Sequence, residues 1–264
     1  MSAPPDLAAR AKAVVETAEE RGVVLRVLGG VSFQMRCPSA AHRALQRDYL
    51  DIDFAGYSKQ SREIGRVFEG LGYVPREMFN AMQGRRRLIF NDMANQRRAD
   101  VFLDVFEMCH KIDLRKRLEV DRYTLSLADM LATKLQIVEI NEKDMKDVAS
   151  LLADYDVGST DNGEVNARYI ASLCSGDWGI YRTFTTNLGK IGEAAARMDL
   201  DEGRRGAVQG RVSRLRESIE AAPKSFGWTV RARVGDKVRW YELPEPDAQI
   251  VDSRIAKEKE PGGA

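Results

Sequence analysis

Hydrophobic residues recur every three to four positions in many parts of the chain, the spacing typical of amphipathic helices. The first such segment follows Pro4 and Pro5 and begins at Asp6, which is a suitable N-cap residue. We predict helices at residues 6–21, 31–36, 58–71, 127–140, 143–155, 164–174, 178–198 and 201–221.

Shorter apolar or alternating runs predict strands at residues 23–28, 50–54, 87–90 and 98–106, with a hairpin turn at 92–96 joining the last two. The pattern also alternates over residues 228–243 around Gly235-Asp236, which predicts a second, C-terminal β-hairpin. Beyond Pro244 the chain is rich in charge and proline, so we expect a flexible tail.

This order of elements predicts an α+β fold, with a mixed sheet flanked by helices and followed by a helical domain. We place the α/β core at residues 1–124, the helical domain at 125–225, and the β-hairpin and tail at 226–264.

Composition narrows the function classes. The 264 residues carry 41 Lys and Arg against 40 Asp and Glu, so net charge favours neither nucleic acid nor membrane as a partner. Three widely spaced cysteines and two histidines argue against a disulfide framework or a zinc site. No apolar run approaches the ~20 residues that cross a bilayer, and no secretory signal is visible, so we expect a cytoplasmic protein with no membrane partner.

The stretch "DYLDIDFA" places Asp51 and Asp53 within an apolar run. Aspartate is poor in strands and costly to bury, so the pair needs an explanation. In a strand both carboxylates would point to one face, while Leu50, Ile52 and Phe54 would point to the core. Two carboxylates ~4 Å apart repel by about 4 kcal/mol at a surface-like dielectric, and a cation such as magnesium between them reverses that sign.

A later strand offers a third acid, and the residues themselves leave Asp100 and Asp104 both open. Upstream, Gly29-Gly30 ends a strand, and glycine there allows backbone N–H groups to approach a phosphate, with Ser32 as a hydroxyl donor. A tight turn with no ligand is the plainer explanation of the glycine pair alone.

Taken together, "LGGVS", "RDYLDIDF" and "ADVFLD" resemble the polymerase-β-like nucleotidyltransferase superfamily. The later segment "LADMLATKLQIVEINEKDMKDVASLL" resembles the AbiEii-like branch, which includes toxins of abortive-infection systems. In that branch a Lys-Leu helix, here Lys134-Leu135, precedes a helix with Lys-Asp-x-x-Asp, here Lys143-Asp144 and Asp147. The resemblance covers roughly residues 24–152.

The resemblance implies roles for named residues. Asp51, Asp53 and Asp100 would be the catalytic acids and would hold two Mg²⁺ ions, with Asp100 favoured over Asp104 by the superfamily pattern. The nucleotide would be bound by the glycine turn and by basic and polar residues on both sides: Gly29, Gly30, Ser32, Arg47, Lys134 and Asp144. Without the resemblance, Arg47 reads as a surface arginine, and Lys134 and Asp144 as solvated helix positions.

The implied activity is transfer of a nucleoside monophosphate from an NTP to an acceptor hydroxyl on tRNA, a protein or a small molecule. A toxin with an antitoxin partner is one form of this activity. The alternative is a degenerate nucleotidyltransferase fold that only binds. Arginines at 85–87 and 97–98 flank the predicted active strands and could steer a polyanion. We expect the Trp178, Tyr181 and Phe184 stripe to be core.

Overall fold

Five strands form one mixed sheet in the computed structural model, which describes residues 6–243. The spatial order is β1-β2-β5-β4-β3. These strands are β1 Leu25–Leu28, β2 Ile52–Gly56, β3 Val74–Pro75, β4 Arg87–Asp92 and β5 Arg97–Leu103. Two small ladders lie outside the sheet and pair β6 Val105–Glu107 with β7 Lys111–Asp113, and β8 Val157–Gly158 with β9 Val165–Asn166.

Helices make up most of the remaining described chain. In chain order they are α1 Leu7–Glu20, α2 Gly29–Arg36, α3 Ser61–Gly70, α4 Glu77–Gln83, α5 Leu127–Leu135, α6 Glu142–Asp154, α7 Ala167–Gly176, α8 Trp178–Arg197, α9 Glu202–Ala221 and α10 Phe226–Val234. The predicted α+β class is therefore confirmed, with a mixed sheet first and helices after it.

Strand β2 lies between β1 and β5 in the sheet. It pairs antiparallel with β1 and parallel with β5. In this register Asp53 is opposite Leu28 on one side and Asp100 on the other. Since Leu28 ends β1, the Gly29-Gly30 turn begins beside Asp53.

Two hydrophobic cores cover the two faces of the sheet. On one face, Phe54 and Phe90 of the sheet pack beneath α1 and α3, and the ring of Phe68 in α3 stacks on that of Phe90 with centroids 4.3 Å apart. The other core contains Phe33 and Phe102 and continues without interruption into the buried residues of α5 to α9. It crosses the predicted boundary at residue 124, and the division of the chain into domains stays a prediction.

Helix α5 ends earlier than predicted, at Leu135 rather than at residue 140. The buried Asn187 of α8 donates hydrogen bonds from its Nδ2 to the carbonyls of Leu135 and Ile137, at 2.8 and 2.7 Å. These bonds satisfy carbonyl groups that a longer helix would have used. The chain then re-enters a helix at Asn141, whose side chain caps α6 by accepting from the N–H of Asp144.

The predicted C-terminal β-hairpin is wrong. Residues 226–234 form helix α10. Ser225 caps its N-terminus by accepting from the N–H of Trp228, and Gly235 ends it with a φ of 59°, a value that favours glycine. The Gly235-Asp236 pair is thus a helix end and not a hairpin turn. The predicted tail beyond Pro244 lies outside the described residues.

No helix in the described part of the chain is both long enough and apolar enough to span a bilayer.

Candidate active site

Asp53 and Asp100 are the two acids that the sheet register brings side by side. They are Cα partners on the adjacent parallel strands β2 and β5. Ile52 and Phe54 belong to the core beneath α1 and α3, so Asp53 points to the opposite face, which α2 covers. Asp100 is only 1% exposed, whereas Asp53 is partly exposed.

Asp53 is electrostatically strained. Burial raises the pKa of its carboxyl to about 7, and the neighbouring charges of Asp100 and Asp51 add to the shift. Lys134 and Arg87 act in the opposite direction without cancelling it. A cation that binds beside Asp53 would therefore relieve an unfavourable interaction.

The two oxygens of Asp100 have different surroundings. Oδ2 accepts a hydrogen bond from Arg87 Nη2 at 2.6 Å and pairs with Arg98 Nη2 at 3.2 Å. Within residues 6–243, Oδ1 is buried and accepts no hydrogen bond. An orphaned buried acceptor is costly, and this one lies on the residue that adjoins Asp53 in the sheet.

Asp51 lies just before β2 and not within it. Its Oδ1 accepts a long hydrogen bond, 3.4 Å, from the N–H of Arg98 at the start of β5. Leu50 is 65% exposed, so the expectation that it points to the core is wrong. The alternation holds only from Ile52 onward, because the chain joins the sheet there.

Asp104, the rival third acid, serves a different purpose. It follows the end of β5 with a φ of 63°, so the expected strand from 98 to 106 breaks at this residue. Its carboxylate accepts hydrogen bonds from the N–H and the hydroxyl of Ser58. Asp100 is thus the acid beside Asp53, and Asp104 fixes the turn that follows β2.

The glycine turn is packed tightly against two of the predicted site residues. Gly29 has a φ of 65°, and a Cβ there would lie 2.1 Å from Oδ2 of Asp53. A Cβ on Gly30 would lie 1.8 Å from Nη2 of Arg47. Both positions need glycine because charged side chains occupy the space that any other residue would fill.

Helix α2 begins at this turn, and no side chain caps its first N–H groups. These groups and the helix dipole give the turn affinity for an anion. Ser32 is buried, and its hydroxyl donates to the carbonyl of Gly29 at 2.7 Å. In this state Ser32 stabilises the turn, and its proton is not directed toward a ligand.

Two basic residues, Arg47 in the loop before β2 and Lys134 in α5, form ion pairs with acids of α6. Arg47 binds both oxygens of Asp147, with two distances of 2.7 Å, and packs over the ring of Tyr49. The buried Lys134 Nζ contacts Asp144 at 2.6 Å and Asp147 at 2.9 Å. Burial opposes the charge on Lys134, but Asp147 and Asp144 outweigh it, so its pKa lies above its ordinary value.

The sequence prediction missed part of this arrangement. Asp147, which the sequence prediction named only as part of the Lys-Asp-x-x-Asp motif and gave no role in the site, links Arg47 to Lys134 and is 2% exposed. Arg87 and Arg98 pair directly with Asp100. Strand alternation could have shown that Arg98 shares a face with Asp100, but no sequence signal gives the β4–β5 register that adds Arg87.

The donor chemistry fits magnesium, which prefers carboxylate oxygens. The orphaned Oδ1 of Asp100 and the raised pKa of Asp53 are the two observations that favour a cation here. In the described part of the chain, however, no three or more acidic, histidine or cysteine side chains are already arranged to hold a metal ion.

Comparison with known proteins gives no relationship: no family model, no curated protein and no solved structure matches the chain.

Proposed function

We propose that the protein is a magnesium-dependent nucleotidyltransferase that moves a nucleoside monophosphate from an NTP to an acceptor hydroxyl. The observation that carries this proposal is the register that pairs Asp53 with Asp100 while Gly29 packs against the Asp53 carboxylate. The carboxylates of Asp53 and Asp100 would hold a cation and the uncapped N–H groups of α2 would hold a phosphate, and a metal–nucleotide complex supplies both.

In this proposal Asp51, Asp53 and Asp100 hold the magnesium ions. When bound, two such ions would activate the attacking oxygen and stabilise the leaving pyrophosphate. The N–H groups at Gly29 and Gly30 face the phosphates. The acceptor oxygen forms a bond to the α-phosphorus, the bond to the β-phosphate oxygen breaks, and a carboxylate of the site takes the hydroxyl proton.

Arg47 and Lys134 place two cations at the edge of the site, and both are paired with carboxylates of α6. Asp147 holds both side chains in place, since it accepts from Arg47 and contacts Lys134. Asp144 holds Lys134 from the other side. We infer that Asp144 and Asp147 position these cations for the triphosphate.

The acceptor belongs to the same proposal. A tRNA, a protein side chain and a small molecule all provide a suitable hydroxyl. In a narrower form of the proposal, the protein is a cytoplasmic toxin that modifies tRNA and is restrained by an antitoxin. Growth arrest on expression that Asp53→Ala relieves would separate the toxin from a housekeeping enzyme.

Transfer can be measured directly by incubating the protein with Mg²⁺, each of the four α-labelled NTPs, and total cellular RNA or soluble protein. We expect label to enter one of these fractions. Asp53→Asn should reduce incorporation by at least 100-fold, and Asp48→Asn, an exposed neighbour with the same charge change, should not. Incorporation that is equal in the two variants would contradict the proposal.

A second function is favoured by one observation. Arg87 and Arg98 already neutralise Asp100. A protein that binds nucleotide without catalysing transfer could use these arginines in place of a metal ion at Asp100. The labelling experiment separates the two functions. A binding module would retain Mg²⁺-NTP binding that depends on Asp53 but would transfer no label to any acceptor.

A further inference from the structure

All three tryptophans of the chain line a single pocket that lies away from the sheet. The pocket has a volume of about 540 Å³ and lies where α8, α10 and the segment 238–243 meet. Trp178 begins α8, Trp228 lies in α10, and Trp240 lies in the segment. Three large aromatic residues from distant parts of the sequence therefore share one cavity.

The pocket is fixed by specific hydrogen bonds. Trp240 Nε1 donates to Thr183 Oγ1 at 3.0 Å, and the N–H of Glu242 donates to the carbonyl of Cys109 at 3.0 Å. Arg231 Nη2 donates to the carbonyl of Val238 at 2.6 Å. These bonds hold the segment 238–243 as the wall of the pocket, so the aromatic rings are already in position for a ligand.

The pocket contains one buried tryptophan ring and partly exposed aromatic rings. Trp178 is 8% exposed, its ring meets that of Trp240 edge-on at 5.9 Å, and the guanidinium of Arg231 lies 4.6 Å from its centroid. Trp240 and Tyr241 are only partly buried. Ring surface therefore stays exposed on Trp240 and Tyr241, with the guanidinium of Arg182 6.0 Å from the Trp240 centroid.

Positive charge lines the same cavity. Arg231 donates to the carbonyls of Gly235 and Val238, and its charge also acts on the carboxylate of Asp236 and lowers the pKa of that group. Arg239 is exposed and lies 5.8 Å from the Tyr241 ring.

Two acids also line the pocket, and each has a role within the protein. Asp177 caps α8 by accepting from the N–H of Ile180, and Glu242 lies 3.7 Å from Lys111.

We propose that this pocket binds an unpaired base of a single-stranded nucleic acid, with the base stacked on Trp240 or Tyr241 and a phosphate near Arg239. Single-strand binding sites combine such aromatic surfaces with basic groups. A cationic ligand fits less well, because Lys111, Arg231 and Arg239 already place positive charge around the pocket.

Intrinsic fluorescence tests this proposal with the intact chain, because every tryptophan lies in the pocket. The probes are rU₁₀, dT₁₀, an abasic decamer with the same backbone, a 10-base-pair duplex and choline. We expect rU₁₀ or dT₁₀ to quench the emission in a saturable manner, while the abasic strand, the duplex and choline do not. The two strands distinguish RNA from DNA as the ligand.

Variants locate the binding to named side chains. Tyr241→Ala should weaken binding about tenfold or more, because a stacked base is lost. Arg239→Gln should weaken it and reduce the salt dependence by about one phosphate contact. Arg233→Gln, an exposed change on α10 that lies outside the pocket, is the matched control and should bind as the wild type does.

Equal quenching by the abasic strand, quenching by choline alone, or unchanged binding by both Tyr241→Ala and Arg239→Gln would overturn the proposal. Tyr241→Phe keeps the ring and should bind like the wild type, which separates stacking from a folding defect. Asp53→Asn should also bind normally. A failure of the nucleotidyltransferase proposal would thus leave this result unaffected.

Discussion

At the scale of single residues, Asp53 shows the conflict that a ligand would resolve. Its carboxylate is packed against Gly29, beside Asp100 and partly removed from water. This position destabilises the folded protein when Asp53 is ionised, because burial disfavours its charged form and raises its pKa to about 7. A cation bound beside Asp53 would lower this cost in stability.

The raised pKa of Asp53 predicts a pH dependence with a definite sign. Because the folded state binds this proton up to about pH 7 and the unfolded state releases it near pH 4, stability falls as pH rises through that window. Asp53→Asn should remove this slope and raise the free energy of unfolding at pH 8 by on the order of 2–4 kcal/mol. Urea unfolding at pH 5 and pH 8 measures it.

The control for this experiment is Asp48→Asn, which should keep the wild-type slope because Asp48 is exposed. Loss of stability at pH 8 in Asp53→Asn would show that the carboxylate is favourably placed. That outcome would remove the argument that the site needs a cation.

The Gly29 position gives a second residue-scale prediction. Gly29→Ala should destabilise the fold by roughly 2–4 kcal/mol, because alanine is strained at a φ of 65° and its Cβ would displace Asp53. Gly22→Ala is a matched control with a φ of 67° and open space around it, so it should cost only about 1–2 kcal/mol. Equal losses in chemical denaturation would mean that the Asp53 contact is unimportant.

At the scale of elements, periodicity predicted the helices well where one face is apolar and the ends carry caps. Helix α1 begins after Asp6 as expected, and α6 begins after Asn141. The failure at α10 has a physical cause. Apolar and polar residues alternate along α10, but none of them is buried. Because no sheet packs against an apolar face here, the alternation does not stabilise a strand, and the caps at Ser225 and Gly235 favour a helix.

The junction between α5 and α6 carries a stability prediction. Lys134→Met should destabilise the protein by about 3–5 kcal/mol, because it leaves the buried carboxylates of Asp144 and Asp147 without their shared cation. The exposed Lys190→Met on α8 should change stability by less than about 0.5 kcal/mol. Thermal unfolding of both variants tests this, and similar midpoints would contradict the role given to Lys134.

At the scale of the whole molecule, the sequence predicted candidate site residues but not how they contact one another. The Asp-x-Asp pattern and the glycine turn are local, so they could be read directly. The pairing of Asp100 with Arg87 depends on the β4–β5 register, and the link from Arg47 to Asp147 joins residues a hundred positions apart. Such long-range contacts leave no periodic signal in one sequence.

The tertiary arrangement also decided a choice that the sequence left open. Asp100 and Asp104 looked equivalent on one strand, but the left-handed backbone at Asp104 ends β5 and turns that carboxylate to Ser58. Only the fold shows which acid adjoins Asp53. The candidate site therefore forms only where β2, β5 and the start of α2 meet.

Calorimetric titration of the protein with the Mg²⁺ complexes of all four NTPs tests this account most directly. We predict saturable binding of at least one complex by the wild type and by Asp48→Asn. The doubly substituted Asp51→Asn, Asp53→Asn protein should remain folded by circular dichroism and bind at least tenfold more weakly. Absence of binding by the wild type, or equal binding by the double variant, would contradict the magnesium–nucleotide site.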